Sequence, residues 1–366
     1  MVNETVLEID LSALKKNYLF LKSIIPPKTL FLAVVKAFAY GSDAVVVAKY
    51  LEKLGVDYFA VAYIEEGVAL RRAGVKTPIL VLHPQPVNFR KAIEFNLEPT
   101  LYSERVLIAF VAAAAEMKQK KFPVHVKFNT GLNRLGFENK ASKRIAFELS
   151  KENTIKVRSI FSHLAASEDS EERAFTLRQI DQFSEICEAF QSGYGKLPLR
   201  HLCNTSGVVN YPRAAFDMVR CGIGLYGYDN RIGCSSDLLP VLSLKSVISQ
   251  IHELKKGDSV GYNRAYVADA KKTIATLPLG HADGIGRQYG NGVGYVSVQN
   301  QKAPIVGNVC MDMIMIDVSG IDCQEGDHVV VFDAVTTAEH FAESGKTISY
   351  ELLTALSRRI KRRLVE

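Results

Sequence analysis

From residue 30 to about residue 220 the chain alternates between two textures. Continuous apolar, often β-branched runs occur at 30–35, 58–62, 79–82, 98–101, 124–128, 157–163, 199–204 and 216–219. Such runs lack polar alternation, as strands buried on both faces of a parallel sheet do. Between most of them, apolar residues recur at helical spacing over 43–54, 65–73, 104–118, 142–150 and 171–190, with a weaker pattern over 86–95. An opening helix over 12–24 follows Asp10-x-Ser12, which has capping potential. Eight strands alternating with helices predict an α/β fold, a (β/α)8 barrel over residues 1–235, whose usual size is about 250 residues. An open doubly wound sheet is the competitor, but no Gly-x-Gly-x-x-Gly follows an early strand.

The texture changes near residue 235. The segment 229–239 is rich in turn formers and reads as a linker. Short alternating runs follow at 243–253, 273–279, 293–298, 314–318 and 329–332, punctuated by Gly257-Asp258 and Gly326-Asp327. They predict a mostly-β domain over 236–366, closed by a last helix over 349–364.

The 366 residues are 48% hydrophobic and 23% charged, with a formal charge of +6. A chain of this length calls for two domains, of globular composition. The basic residues are dispersed except in Arg358-Arg359-Ile360-Lys361-Arg362-Arg363, read as the solvated face of the closing helix, so no nucleic acid partner is expected. Six scattered cysteines contain no Cys-x-x-Cys pair and no zinc spacing, so a reducing compartment and no metal are expected. Met1-Val2-Asn3-Glu4 carries an acid where a signal peptide needs bases, and no apolar run approaches spanning length. The cytoplasm, with no membrane association, is the expected location.

A barrel places functional residues at the C-terminal ends of its strands. The first strand ends on Lys36, followed by Ala37-Phe38-Ala39-Tyr40-Gly41. A lysine leaving a buried strand either snorkels to water or stays neutral with a lowered pKa, as a Schiff-base lysine does. Strand five runs into Asn129-Thr130-Gly131-Leu132-Asn133-Arg134, strand six ends at His163, strand seven at Asn204-Thr205-Ser206-Gly207, and strand eight runs into Arg220-Cys221-Gly222-Ile223-Gly224. Thr205, Gly222 and Ile223 can offer a hydroxyl and backbone N–H groups to a phosphate, although tight turns alone would explain the glycines. With Lys36 across the mouth, a phosphate-bearing aldehyde, pyridoxal phosphate, becomes the expected cofactor.

Val34-Val35-Lys36-Ala37-Phe38-Ala39-Tyr40-Gly41 resembles the cofactor-lysine signature of bacterial alanine racemases. Lys127-Phe128-Asn129-Thr130-Gly131-Leu132-Asn133-Arg134-Leu135-Gly136 is similar to that family's Lys-x-Asp-Thr-Gly-Met-x-Arg-x-Gly. Gly261-Tyr262-Asn263-Arg264, Cys310-Met311-Asp312 and Ile348-Ser349-Tyr350-Glu351 match motifs of its second domain.

The resemblance implies a racemase interconverting L- and D-alanine, which supplies D-alanine for peptidoglycan. It implies a homodimer with composite sites. Lys36 holds the cofactor and carries the proton on the D face, and Tyr262 of the partner subunit serves the L face. Arg220 faces the pyridine nitrogen, and His163 orients Arg220. Tyr40, Thr205, Gly222, Ile223 and Tyr350 hold the phosphate. Arg134 and the Met311 backbone receive the substrate carboxylate, and Lys127 is a candidate for carbamylation. The chain departs from the family pattern at Asn129, Thr205, His281 and Asn308. The last two line the family's access corridor, so a broader-specificity racemase is an alternative. A related barrel decarboxylase, a non-enzymatic pyridoxal phosphate carrier and a cofactor-free barrel hydrolase are the rivals.

Overall fold

The computed structural model describes residues 4–229 and 237–365. Most of the turn-rich linker, including the boundary expected at 235/236, lies outside the described residues.

The first strand, β1 (Val6–Asp10), stands apart from the barrel. The barrel is built from β2 (Leu30–Val34), β3 (Tyr58–Val61), β4 (Ile79–Val81), β5 (Leu97–Leu101), β6 (Phe122–Lys127), β7 (Ile155–Phe161), β8 (Leu199–His201) and β9 (Met218–Cys221). All pair in parallel, and β2 pairs with both β3 and β9. β8 meets β9 through two backbone bonds, Asp217 N–H to the Arg200 carbonyl and Arg220 N–H to the Cys203 carbonyl, both 3.0 Å. The ring is thereby all but closed, and the open doubly wound alternative is excluded. Phe31, Leu32 and Ala33 are fully buried, as continuous apolar strands demand. The surrounding helices start on the caps that the sequence offers. Asp10 accepts from Ala13 N–H at 2.8 Å, and Asp43 from Val45 and Val46 N–H at 3.0 Å each.

The second sheet contains β10 (Leu242–Val247), β11 (Gln250–Leu254), β14 (Lys272–Leu277), β15 (Tyr295–Val298), β16 (Gln301–Val306), β17 (Ile314–Asp317), β18 (His328–Phe332) and β19 (Lys361–Val365). β12 (Ser259–Val260) and β13 (Tyr266–Val267) form a separate small hairpin. The run 243–253 is two strands, because at Ile248 and Ser249 the chain switches from pairing with β18 to pairing with β14. β16 escapes a sequence reading because Pro304 interrupts it; the β17 ladder begins only at Ile305, so the missing N–H is tolerated.

Two expectations are corrected. The closing helix over 349–364 is instead a short helix, Ser349–Ala355, followed by β19. Arg362 and Arg363 therefore belong to a strand, not to the solvated face of a helix. Pairing with β1 overrides the helical preference of Lys, Arg and Leu. β1 itself runs antiparallel to β10 and parallel to β19, so the beginning of the chain completes the sheet of its second half.

Candidate active site

A cavity of about 640 Å³ opens at the C-terminal ends of the barrel strands. Lys36, Tyr40, Lys127, Arg134, His163, Thr205, Arg220, Gly222, Ile223 and Tyr350 all line it. Four carry basic side chains, and among the described residues no carboxylate lines the wall, so the cavity suits an anion.

Lys36 begins an unusual turn. Ala37, Phe38, Ala39 and Tyr40 have φ of 51°, 56°, 53° and 55°, a left-handed helical turn built from L-residues. Each costs about 1–2 kcal/mol, so the turn needs outside support. Glu66 supplies one hold: its carboxylate accepts from Ala37 N–H at 2.7 Å, and also from Ala62 N–H at 2.7 Å and Tyr63 N–H at 3.1 Å at the end of β3. Arg362 supplies another, donating to the carbonyls of Gly41 at 2.8 Å and Ser42 at 3.2 Å. Arg358 lies 4.2 Å from the Phe38 ring centre. Gly41 has φ +82°, and a Cβ there would run into the Leu353 carbonyl oxygen. Burial lowers the Lys36 pKa, Arg134 lowers it further, and Glu66 opposes. Such a shift favours the neutral, nucleophilic amine.

Arg220 is 4% exposed and donates to four acceptors. They are His201 Nδ1 at 2.9 Å, His163 Nδ1 at 3.1 Å, the Ser162 carbonyl at 2.7 Å and the Leu202 carbonyl at 2.9 Å. Burial lowers its pKa to about 10, so it remains cationic at neutral pH. Burial, with Arg220, Lys127, Arg134 and Lys36 nearby, pushes His163 well down, so it is neutral. Because Arg220 can only donate, the His163 proton sits on Nε2.

At one end of the cavity the Thr205 hydroxyl accepts from Gly222 N–H at 3.2 Å and Gly224 N–H at 3.3 Å. A Cβ on Gly222 would strike the Tyr40 hydroxyl, so only glycine allows this approach. Burial first, then Tyr350 and Cys221, raises the Tyr40 pKa and keeps its phenol a neutral donor. On the far wall Lys127 is 7% exposed and its pKa falls to about 8, through burial first, then Arg220, Arg134 and Lys36. Asn129 shapes the loop carrying Arg134, its side-chain oxygen accepting from Gly131 N–H at 3.1 Å and Asn133 N–H at 3.0 Å. An amide does here what a carboxylate would do, which explains why Asn is tolerated.

Tyr262 and Met311 do not join this cavity within one chain; they are 72% and 59% exposed. Tyr262 lies on the turn of the β12–β13 hairpin and Met311 on the loop between β16 and β17, near the departing residues His281 and Asn308. Asn308 Nδ2 donates to the Tyr262 carbonyl at 3.2 Å, and His281 N–H to the Cys310 carbonyl at 2.9 Å. Sequence reasoning missed Glu66, His201 and Arg362. Glu66 and Arg362 gave no signal, because their partners are distant in sequence. His201 had one, a histidine inside an apolar strand.

A family model described as the alanine racemase N-terminal domain matches residues 9–230, and one described as the C-terminal domain matches residues 241–364. The chain belongs to the alanine racemase family. An alanine racemase of Halothermothrix orenii is 36% identical over 363 residues, 97% of this chain and 95% of that protein. The solved alanine racemase of Clostridium difficile 630 superposes with a TM-score of 0.93 at 33% identity, covering 100% of this chain and 97% of that one. An alanine racemase structure from Bartonella henselae with covalently bound pyridoxal phosphate has a TM-score of 0.90 at 29% identity, covering 99% of each chain. Among the described residues no helix is long and apolar enough to cross a membrane.

Proposed function

We propose that this chain interconverts L- and D-alanine with pyridoxal phosphate in the barrel-mouth cavity, using Lys36 and the Tyr262 of a second copy as opposed proton carriers. The observation that carries the reading is the convergence of a pKa-lowered lysine, a fixed guanidinium and a neutral hydroxyl cradle on one cationic cavity. The cradle of Tyr40, Thr205, Gly222, Ile223 and Tyr350 suits a phosphate, because Gly222, lacking a Cβ, admits the neutral Tyr40 hydroxyl as a donor at the wall of a cavity rich in basic side chains. When bound, the cofactor supplies an electron-withdrawing ring that acidifies the α-proton of the substrate.

Lys36 anchors the cofactor covalently and moves a proton at Nζ on the D face. Arg220 holds the ring nitrogen by donating to it, which leaves that nitrogen unprotonated and limits side reactions. His163 keeps Arg220 in place through Nδ1. Arg134 and the Met311 backbone receive the substrate carboxylate. Lys127, its pKa lowered to about 8, presents enough neutral amine to take up carbon dioxide as a carbamate that orients Arg134. A second proton carrier must stand on the opposite face. Tyr262 is solvent-facing in its own chain, so it serves the site of a second copy, and a homodimer with two composite sites follows. On the family resemblance, the D-alanine so made would supply peptidoglycan. His281 and Asn308 on the Tyr262 face support a widened substrate range. A strong preference for alanine over serine and larger amino acids in kcat/KM would dispose of that widening.

The deciding experiment is the racemase assay of Lys36→Ala and Tyr262→Phe in both directions. Lys36→Ala should lose covalent attachment of the cofactor. Tyr262→Phe should lose about 10²–10⁴-fold in kcat, the usual weight of one general acid or base. Unchanged rates for Tyr262→Phe in both directions would refute the two-base reading.

A further inference from the structure

Arg220 is the upper end of a polar chain that crosses the barrel interior. His201 meets Arg220 through Nδ1 and Ser159 Oγ through Nε2, at 2.9 and 2.7 Å. Ser159 Oγ lies 2.5 Å from His125 Nδ1, and His125 Nε2 lies 2.8 Å from Glu98 Oε2. From the other side, Arg158 Nε donates to the Tyr58 hydroxyl at 2.8 Å, and that hydroxyl donates to Glu98 Oε2 at 3.4 Å. Ser159, His125 and His201 are fully buried and Glu98 is 9% exposed, while Arg158 reaches solvent. The register explains the stacking: Ser159 shares a face of β7 with Phe161, as His125 shares one of β6 with Lys127, so His125 and Ser159 lie one step below the cavity-lining Lys127 and Phe161, while His201 is level with Phe161.

The two arginines fix the direction of the bonds at the two ends of the chain, because a guanidinium has donors and no acceptor. Arg220 forces His201 Nδ1 to accept. His201, neutral because burial and then Arg220 push its pKa well down, therefore carries its proton on Nε2 and donates to Ser159. The Ser159 hydroxyl hydrogen, fully buried, needs an acceptor, and His125 Nδ1 supplies it, so His125 donates from Nε2 to Glu98. Arg158 forces Tyr58 to donate to Glu98 in turn. All donors converge on one carboxylate.

We propose that Glu98 is a positioning residue for Arg220: as the sink of this one-way chain it fixes the His201 lone pair that holds the guanidinium. The inference rests on the reading of Arg220 as the group that holds the cofactor ring nitrogen. Buried polar groups need partners in any fold, and a set of independent partners would satisfy that need without any direction. The proposal differs in requiring coupling over the whole chain.

Long-range ¹H–¹⁵N correlation spectra of the cofactor-loaded protein at pH 7 read the tautomers directly. His125 and His201 should each carry a proton on Nε2 and accept at Nδ1. A proton on Nδ1 of either ring, or an imidazolium at His201, would overturn the proposal. Glu98→Gln keeps an acceptor and removes the charge; Ser159→Ala cuts the chain in the middle. Each should lower kcat about tenfold, the scale of an outer hydrogen-bond partner, with KM for alanine moving less than threefold. Residues acting through one chain are non-additive, so the double variant should lose no more than the worse single. A double-variant loss equal to the product of the two single losses would show independent structural roles and sink the idea, as would wild-type kcat in either single. Should the protein neither bind pyridoxal phosphate nor racemise alanine, the cofactor reading fails. The tautomer spectra of the protein as purified would still decide the chain.

Discussion

Lys127 shows how much a single buried amine can reveal. Its folded pKa of about 8 lies below the ordinary 10.5, so the unfolded chain holds the proton more tightly. Burying this lysine therefore costs stability below pH 8, and the cost fades as pH rises from 8 to 10.5. At ~1.4 kcal/mol per pH unit the cost at pH 7 is about 3 kcal/mol. Lys127→Met should raise the urea-unfolding free energy of the cofactor-free chain by about that much at pH 7 in carbon-dioxide-free buffer, with the gap closing by pH 10.5. A gap that stays constant with pH contradicts the assignment. Lys127 was legible as a site residue because it stands in a motif with Arg134. Its neighbour one layer down, His125, was not, because nothing in the run 124–128 says which residues meet across the barrel. Arg220 could likewise be named from the sequence, together with His163 as its partner, but not its other three acceptors, Ser162, His201 and Leu202, which come from β8 and the loops after β7 and β8.

At the scale of elements, the barrel strands follow closely from their apolar runs, because burial on both faces leaves little freedom of pattern. The turn after Lys36 does not. Nothing in Lys-Ala-Phe-Ala-Tyr announces a left-handed turn, and that form is held by Glu66 and Arg362 from 29 to more than 300 residues away. The same long reach turned the expected closing helix into β19. Arg362 also donates to the carbonyls of Leu356, Ser357 and Ile360, so one side chain ties the turn to both ends of the last connection. Arg362→Met should cost about 2–4 kcal/mol of stability, since charge-assisted bonds are each worth about 1.5–3 kcal/mol and some will be replaced by water. It should also weaken cofactor binding, measured as the dissociation constant for pyridoxal phosphate. Full stability with unchanged affinity would show that the turn holds itself.

For the whole molecule, the exposed Tyr262 and Met311 make a single chain an incomplete catalyst under the proposed function. Mixing is the sharpest test. Lys36→Ala and Tyr262→Phe should each be nearly inactive alone, but a mixed dimer would regain one intact site, with Lys36 from one chain and Tyr262 from the other. After subunit exchange, statistical pairing in a two-fold dimer should restore about a quarter of wild-type activity. No recovery in a mixture shown to exchange subunits would place both groups in one chain. The pairing of β1 with β19, the close approach of the Leu353 carbonyl to Gly41 and the hold of Arg362 on the Lys36 turn also set an order of events during synthesis. Domains fold as the chain emerges, beginning with the earlier part. The barrel strands are all available once residue 221 has been made, yet the lysine they carry has to wait. Its strained turn is secured only after residues 353–362 have left the ribosome, so a half-made chain holds a shaped vessel whose reactive amine is still unaimed.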